Sequence, residues 1–161
     1  MSVVINGTGS ISGLSNVGGI ASAQSGSIIQ TVQGTLSSSF STTSTSYVTT
    51  GLTASITPQF STSKILVIAN GCTYYSGGTG ASYWTLYRNS TNLEITSGRG
   101  FLELNIPTSN TGQTIGISYL DSPATTSSTS YTVYARTPSA NSITLATDGS
   151  TATITLLEIA Q

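Results

Sequence analysis

Five carboxylates, four basic side chains, one thiol and twelve aromatic rings are the groups through which this chain of 161 residues could do chemistry. The acids are Glu94, Glu103, Asp121, Asp148 and Glu158, the bases are Lys64, Arg88, Arg99 and Arg136, and the thiol is Cys72. Histidine is absent. That removes the commonest general base, and with it any Ser-His-Asp or Cys-His arrangement. The acids stand singly, without the short spacings by which a loop gathers Ca²⁺ ligands, so no catalytic residue, metal site or cofactor is read from them. Asp148 falls in a turn, where a short acid hydrogen-bonds its own backbone. Asp121 closes a strand ahead of Ser122 and Pro123. Two carboxylates flanking a groove could hydrolyse a glycosidic bond. Glu94 and Glu103 are the nearest pair, but each alternates with apolar neighbours as a solvent-facing strand residue does. GTGSISG at 7–13 lacks the preceding strand, the lysine and the following helix of a phosphate loop. Cys72 sits in an apolar run and reads as a small buried residue.

A second constellation is aromatic. Tyr74, Tyr75, Tyr83, Trp84 and Tyr87 flank the flexible stretch SGGTGA at 76–81. Ring faces beside hydroxyl and amide groups can hold a sugar, so Tyr74, Tyr75, Tyr83 and Tyr87 form a candidate glycan site. Packing in a core or a subunit contact is the competing reading. Alternation sets Tyr83, Thr85 and Tyr87 on one face and Trp84 with Leu86 on the other, the second pair belonging to the core.

The composition narrows the function classes further. Charged residues make up only 6% of the chain, against 29 serines and 29 threonines. A typical soluble domain carries about 25% charge. Four cations and a net charge of −1 give no electrostatic footprint for phosphate, so no nucleic-acid partner is expected. A surface so poor in charge has little colloidal protection, which points to a surface covered by assembly or to work outside the cell. No apolar run approaches the roughly 20 residues of a membrane span, and MSVVINGTGS has no basic stretch of the kind that opens a signal peptide. Neither membrane insertion nor standard export is expected.

The elements that must position these groups are strands. Residues 1–27 are rich in Gly and Ser, with Val3, Val4, Ile5, Ile11, Leu14, Val17 and Ile20 as scattered apolar handles. They read either as a disordered tail or as an extended arm ordered by a partner, and the arm is preferred. From residue 28 the pattern has period two. IIQTVQ (28–33) is the first strand. In GLTASIT (51–57), Leu52, Ala54 and Ile56 share a face. KILVIANGCTYY (64–75) opens with a solid apolar run that suits a strand buried on both faces. Hairpins are expected around RNSTN (88–92) and Asp148-Gly149. FLELNI, QTIGISYLD and SYTVYART complete the set. SSSFSTTST at 37–45 is expected to be a polar lead into the strand that starts at Tyr47. A near-copy, TTSSTSYTV (125–133) beside STTSTSYVT (41–49), suggests two equivalent corners. The fold class is therefore all-β, an antiparallel β-sandwich of jelly-roll-like type with an extended N-terminal arm. The arm is placed at 1–29 and the sandwich at 30–161.

GSIIQTVQG, TSTSYVTTGLTASITP, SKILVIANG, GISYLDSPATTSSTSYTVYAR and the terminal ITLLEIA, in that order, resemble a β domain of tail-fibre and other virion structural proteins of tailed bacteriophages, notably those of cyanobacteria. The opening VINGTGSISGLSNVGGI resembles the starts of such proteins. The resemblance implies a non-enzymatic, trimeric component of the virion surface, a head decoration (cement) protein or a short fibre. It would be docked by its arm to capsid or tail subunits, assembled in the host cytoplasm and released by lysis. The alternative is an adsorption module that binds host surface glycan through the aromatics of 74–87.

Overall fold

The computed structural model describes residues 24–94, 98–107, 110–139 and 141–161. The seven arm residues Val3, Val4, Ile5, Ile11, Leu14, Val17 and Ile20 lie outside the described residues. The strands are β1 (Ile28–Leu36), β2 (Phe40–Thr42), β3 (Val48–Ile56), β4 (Lys64–Ser76), β5 (Gly80–Arg88), β6 (Thr91–Asn92), β7 (Leu102–Ile106), β8 (Thr111–Asp121), β9 (Thr129–Arg136), β10 (Ser142–Leu145) and β11 (Ala152–Ile159). No helix occurs among the described residues.

Two antiparallel sheets face each other. Sheet I runs β1, β11, β4, β10, β2, with β8 on the other side of β4, and sheet II runs β3, β9, β5, β6, with β7 also on β5. The eight main strands thus divide as β1, β11, β4, β8 against β3, β9, β5, β7, the strand order of a jelly roll built from two Greek keys. The fold is the expected all-β sandwich.

Alternation decides the core. Leu52, Ala54 and Ile56 point inward from β3, and Trp84 and Leu86 from β5, all at least nine-tenths buried. The Trp84 indole donates to Ser82 Oγ at 2.9 Å, which satisfies the one polar atom this ring brings into the interior. Where β1 crosses β3, Gly34 lies against the Thr53 carbonyl so closely that any Cβ would collide with it.

A bulge interrupts β3. Thr49 is opposite Tyr134 and Thr53 opposite Thr132, so three residues of β3 face Val133 alone. Gly51 takes φ +81° there, and Thr50 Oγ1 donates to the Val133 carbonyl at 2.8 Å, replacing a ladder bond the bulge removes. Hydroxyls also bridge strands directly, Thr53 to Thr132 and Ser41 to Thr144, both at 2.8 Å. Serine and threonine thus do on these strands what charged side chains do on most sheets.

Four expectations are corrected. Asp148-Gly149 does make a turn, with positive φ at both residues and Ser150 N donating to the Thr147 carbonyl. The strands on either side do not pair with each other. Both pair with β4, β10 along Thr73–Ser76 and β11 along Lys64–Asn70, so they form one interrupted strand with a looped-out turn. The polar lead at 37–45 contains β2, which pairs with β10. The near-copies are not equivalent: β3 and β9 run antiparallel and adjacent, so their leads enter from opposite ends. The apolar run of β4 is buried on one face only, with Leu66 and Ile68 on the half-buried other side.

Candidate functional site

The four tyrosines of the candidate sugar site do not converge. Tyr74 is half-buried on the outer face of sheet I, while Tyr75, one residue on, points inward and is 2% exposed. Its hydroxyl accepts from Asn141 Nδ2 at 2.6 Å, so it offers no ring face to a ligand. Tyr83 and Tyr87 share the outer face of sheet II. Only that pair stays together.

Charged groups that sequence reading had not placed beside these rings surround the pair. Tyr83 stands directly opposite Arg136 on β9 and Glu103 on β7. The Arg136 guanidinium lies over the Tyr83 ring at 4.6 Å and the Tyr47 ring at 5.2 Å, and donates to the carbonyls of Gly98 at 2.6 Å and Thr45 at 3.2 Å. Arg99 pairs with Glu103 at 2.8 Å. Tyr87 stacks on Tyr134 with centroids 3.9 Å apart. Burial raises the Tyr47 pKa above its ordinary value, and the Arg136 hydrogen bond and charge pull the other way. The cluster is thus largely self-satisfied: one side of the Tyr83 ring and one side of the Tyr87 ring are taken by protein groups. The alternation in SYTVYAR puts Tyr134 and Arg136 on one face of their strand. The partner strand that sets them beside Tyr83 and Tyr87 is not readable from the chain.

The acids are spread through the fold. Asp121 is 5% exposed, accepts both oxygens' worth of contact from Arg88 Nη1 at 2.9 Å, and takes the Tyr131 hydroxyl at 2.6 Å. It comes from sheet I and its partners from sheet II, so this contact ties the sheets at one end. Tyr131 is raised far above the usual tyrosine range by burial and by the Asp121 hydrogen bond. Glu158 is fully buried and accepts from the Gln59 backbone N–H at 2.7 Å, pinning the turn between β3 and β4. Asp121 and Glu158 flank Ile65 in one register row, which sets their Cα atoms about 10 Å apart. Neither faces an open groove. Among the described residues no group of three or more His, Cys, Asp or Glu could hold a metal.

Cys72 is exposed, against the expectation that it is buried. Gly71 takes the inward position beside it, because a Cβ there would strike Ala152 and Leu145. Cys72 lines an open depression of about 290 Å³ with Tyr74, Gln113 and Asp148.

The surface with the clearest chemical character is the outer face of sheet I. Thr31, Leu157, Leu66 and Leu120 form one register row across four strands. Leu120 is 48% exposed, and Ile28, opposite Ile159 at the same end, is 59% exposed. Lys64 is the one charged residue these strands present outward, since Asp121 on β8 and Glu158 on β11 are buried on the inner side. No protein-family model matches the chain, and no curated protein matches it. Apolar rows such as Leu66, Leu120 and Leu157 escaped sequence reading because each strand alone shows merely a hydrophobic residue in either phase.

Proposed function

We propose that this chain is a non-enzymatic structural protein of a bacteriophage particle, a homotrimer docked by its N-terminal arm as a head decoration protein or short fibre. The observation that carries the reading is the outer face of sheet I: a surface with a central leucine row and a single charged residue, Lys64, at its end. An apolar surface of that kind marks a contact between proteins. The low charge of the chain, costly for a free soluble protein, suits one whose faces are covered by assembly. The motifs from GSIIQTVQG to ITLLEIA resemble virion proteins and supply the particle. The arm anchors are Val3, Val4, Ile5, Ile11, Leu14, Val17 and Ile20, which add a little apolar burial at each subunit they cross.

Deleting residues 2–20 and measuring the protein content of purified particles tests this. Loss of the protein from particles is expected, and incorporation at the full-length level contradicts the arm's role. A second reading, adsorption to host surface glycan, is favoured by one observation, the pairing of Tyr83 and Tyr87 on an outer face beside Arg136. On a glycan array it requires binding that Tyr87→Ala abolishes, and a silent array removes it.

A further inference from the structure

The outer face of sheet I changes character from end to end. Ile28 and Ile159 lead into the row of Leu157, Leu66 and Leu120, and Ile68 follows beside Ser118 and Thr155. Beyond them Asn70, Cys72 and Tyr74 stand opposite Gly116, Thr114 and Gly112. The glycines keep that half low, so a neighbouring backbone can approach. We propose that copies of this chain meet through this face, with Leu66, Leu120 and Leu157 at the centre of the contact. The proposal rests on the structural-assembly reading and gives that reading its surface.

Three features single out another copy as the occupant. The first is area. β1, β11, β4 and β8 have 9, 8, 13 and 11 residues, and with a rise of about 3.3 Å per residue and a spacing of about 4.8 Å they make a face of roughly 650 Å². That is about what each partner contributes to a stable interface. The second is charge. The strands present no acid on this side, since Asp121 and Glu158 point inward and are buried, and the one cation, Lys64, lies at its end. Like faces can therefore meet without burying an unpaired carboxylate or opposing two central charges. The third is continuity with the sheet edges. Among the described residues β1 pairs only with β11 and β8 only with β4, so both flanks of the face end in strands with a side that no described strand covers. Copies gathered about a common axis cover these flanks together with the leucines.

Light scattering on the full-length chain tests this, with Leu120→Glu, Ile28→Glu and the control Ser55→Glu. Leu120 and Ile28 are exposed, so a charge at either does not disturb the core, and two variants guard against one misfolding. Ser55 is exposed on sheet II. Alkylation of Cys72, which lies on the proposed face, reports on the same samples. The expected result is a wild-type mass of several times 16.4 kDa, kept by Ser55→Glu and reduced to a single chain by either of the other two. Cys72 should react more slowly in the wild-type assembly than in the dissociated variants. A wild-type mass retained in both Leu120→Glu and Ile28→Glu overturns the proposal, since assembly then uses another surface. A single-chain wild type with Cys72 shielded also overturns it and assigns the face to the chain's own residues 1–23. A single-chain wild type with Cys72 reactive overturns it and leaves the face to a different protein. In each failing case the arm-deletion experiment on particles still decides the structural role independently.

Discussion

On the outer side of sheet II, Arg136 lies between the rings of Tyr47 and Tyr83, Arg99 pairs with Glu103, and Tyr87 stacks on Tyr134. On the outer side of sheet I, the strands present one lysine, three leucines in a row and a field of serine, threonine and glycine. The sheets have the same architecture and nearly the same hydroxyl content. They differ in where their polar chemistry is spent. Sheet II satisfies its charges within the chain and needs nothing further. Sheet I leaves apolar area open and has only Lys64, at one end, to keep neighbours away. The difference teaches that residues on one outer face should act on folding, and those on the other on assembly.

The largest effect is expected where the sheets are tied. Asp121→Ala leaves Arg88 and the Tyr131 hydroxyl without their shared acceptor, and should cost about 3 kcal/mol in chemical denaturation. An unchanged midpoint would mean the contact adds nothing to the tie. The same contact gives a pH dependence. Burial first, and the Asp121 hydrogen bond second, raise Tyr131 above its ordinary value of 10.0, and burial raises Tyr47 as well. The unfolded chain therefore loses these protons before the folded one. Their contribution is fully present below pH 10 and is lost as the pH rises through the folded values. The thermal midpoint should fall above pH 10, and less so in Tyr131→Phe if its packing is kept.

Arg136→Ala comes next. It removes two ring contacts and the bonds to the Gly98 and Thr45 carbonyls, at a cost of about 1–2 kcal/mol. Because the group faces solvent on sheet II, the mass of the assembled protein should not change. A change in mass with unaltered stability would reverse the comparison. The smallest effect on folding belongs to Leu120→Glu. At a half-exposed site it should shift stability by no more than about 0.5 kcal/mol, so its consequence is confined to assembly. A loss of several times that would place Leu120 in the folding core.

Some of this was legible in the chain. The period of two in GLTASIT placed Leu52, Ala54 and Ile56 inside, and SYWTLYR placed Trp84 and Leu86 inside, because polar residues occupy the other phase. KILVIANGCTYY was not legible in the same way. Ile65, Val67 and Ala69 in one phase and Leu66 and Ile68 in the other are equally apolar, so periodicity cannot say which set is buried. Gly71 settles it: only a residue without Cβ fits against Ala152 there, which turns Cys72 and Tyr74 outward and Tyr75 inward. Contact with β11 is a long-range fact that the local pattern does not hold. The same holds for β10 and β11, whose turn was readable and whose common partner β4 was not. The Arg136 cluster needed the register of β5 on β9, and the leucine row needed the register of four strands.

Hydroxyl-radical footprinting of the assembled protein, compared with the dissociated Leu120→Glu chain, tests the contrast between the faces most directly. The account predicts that oxidation of Tyr74 on sheet I falls on assembly, while Tyr83 and Tyr87 on sheet II are oxidised equally in both samples. Protection of Tyr83 and Tyr87, with Tyr74 unchanged, would contradict it and make sheet II the assembly face.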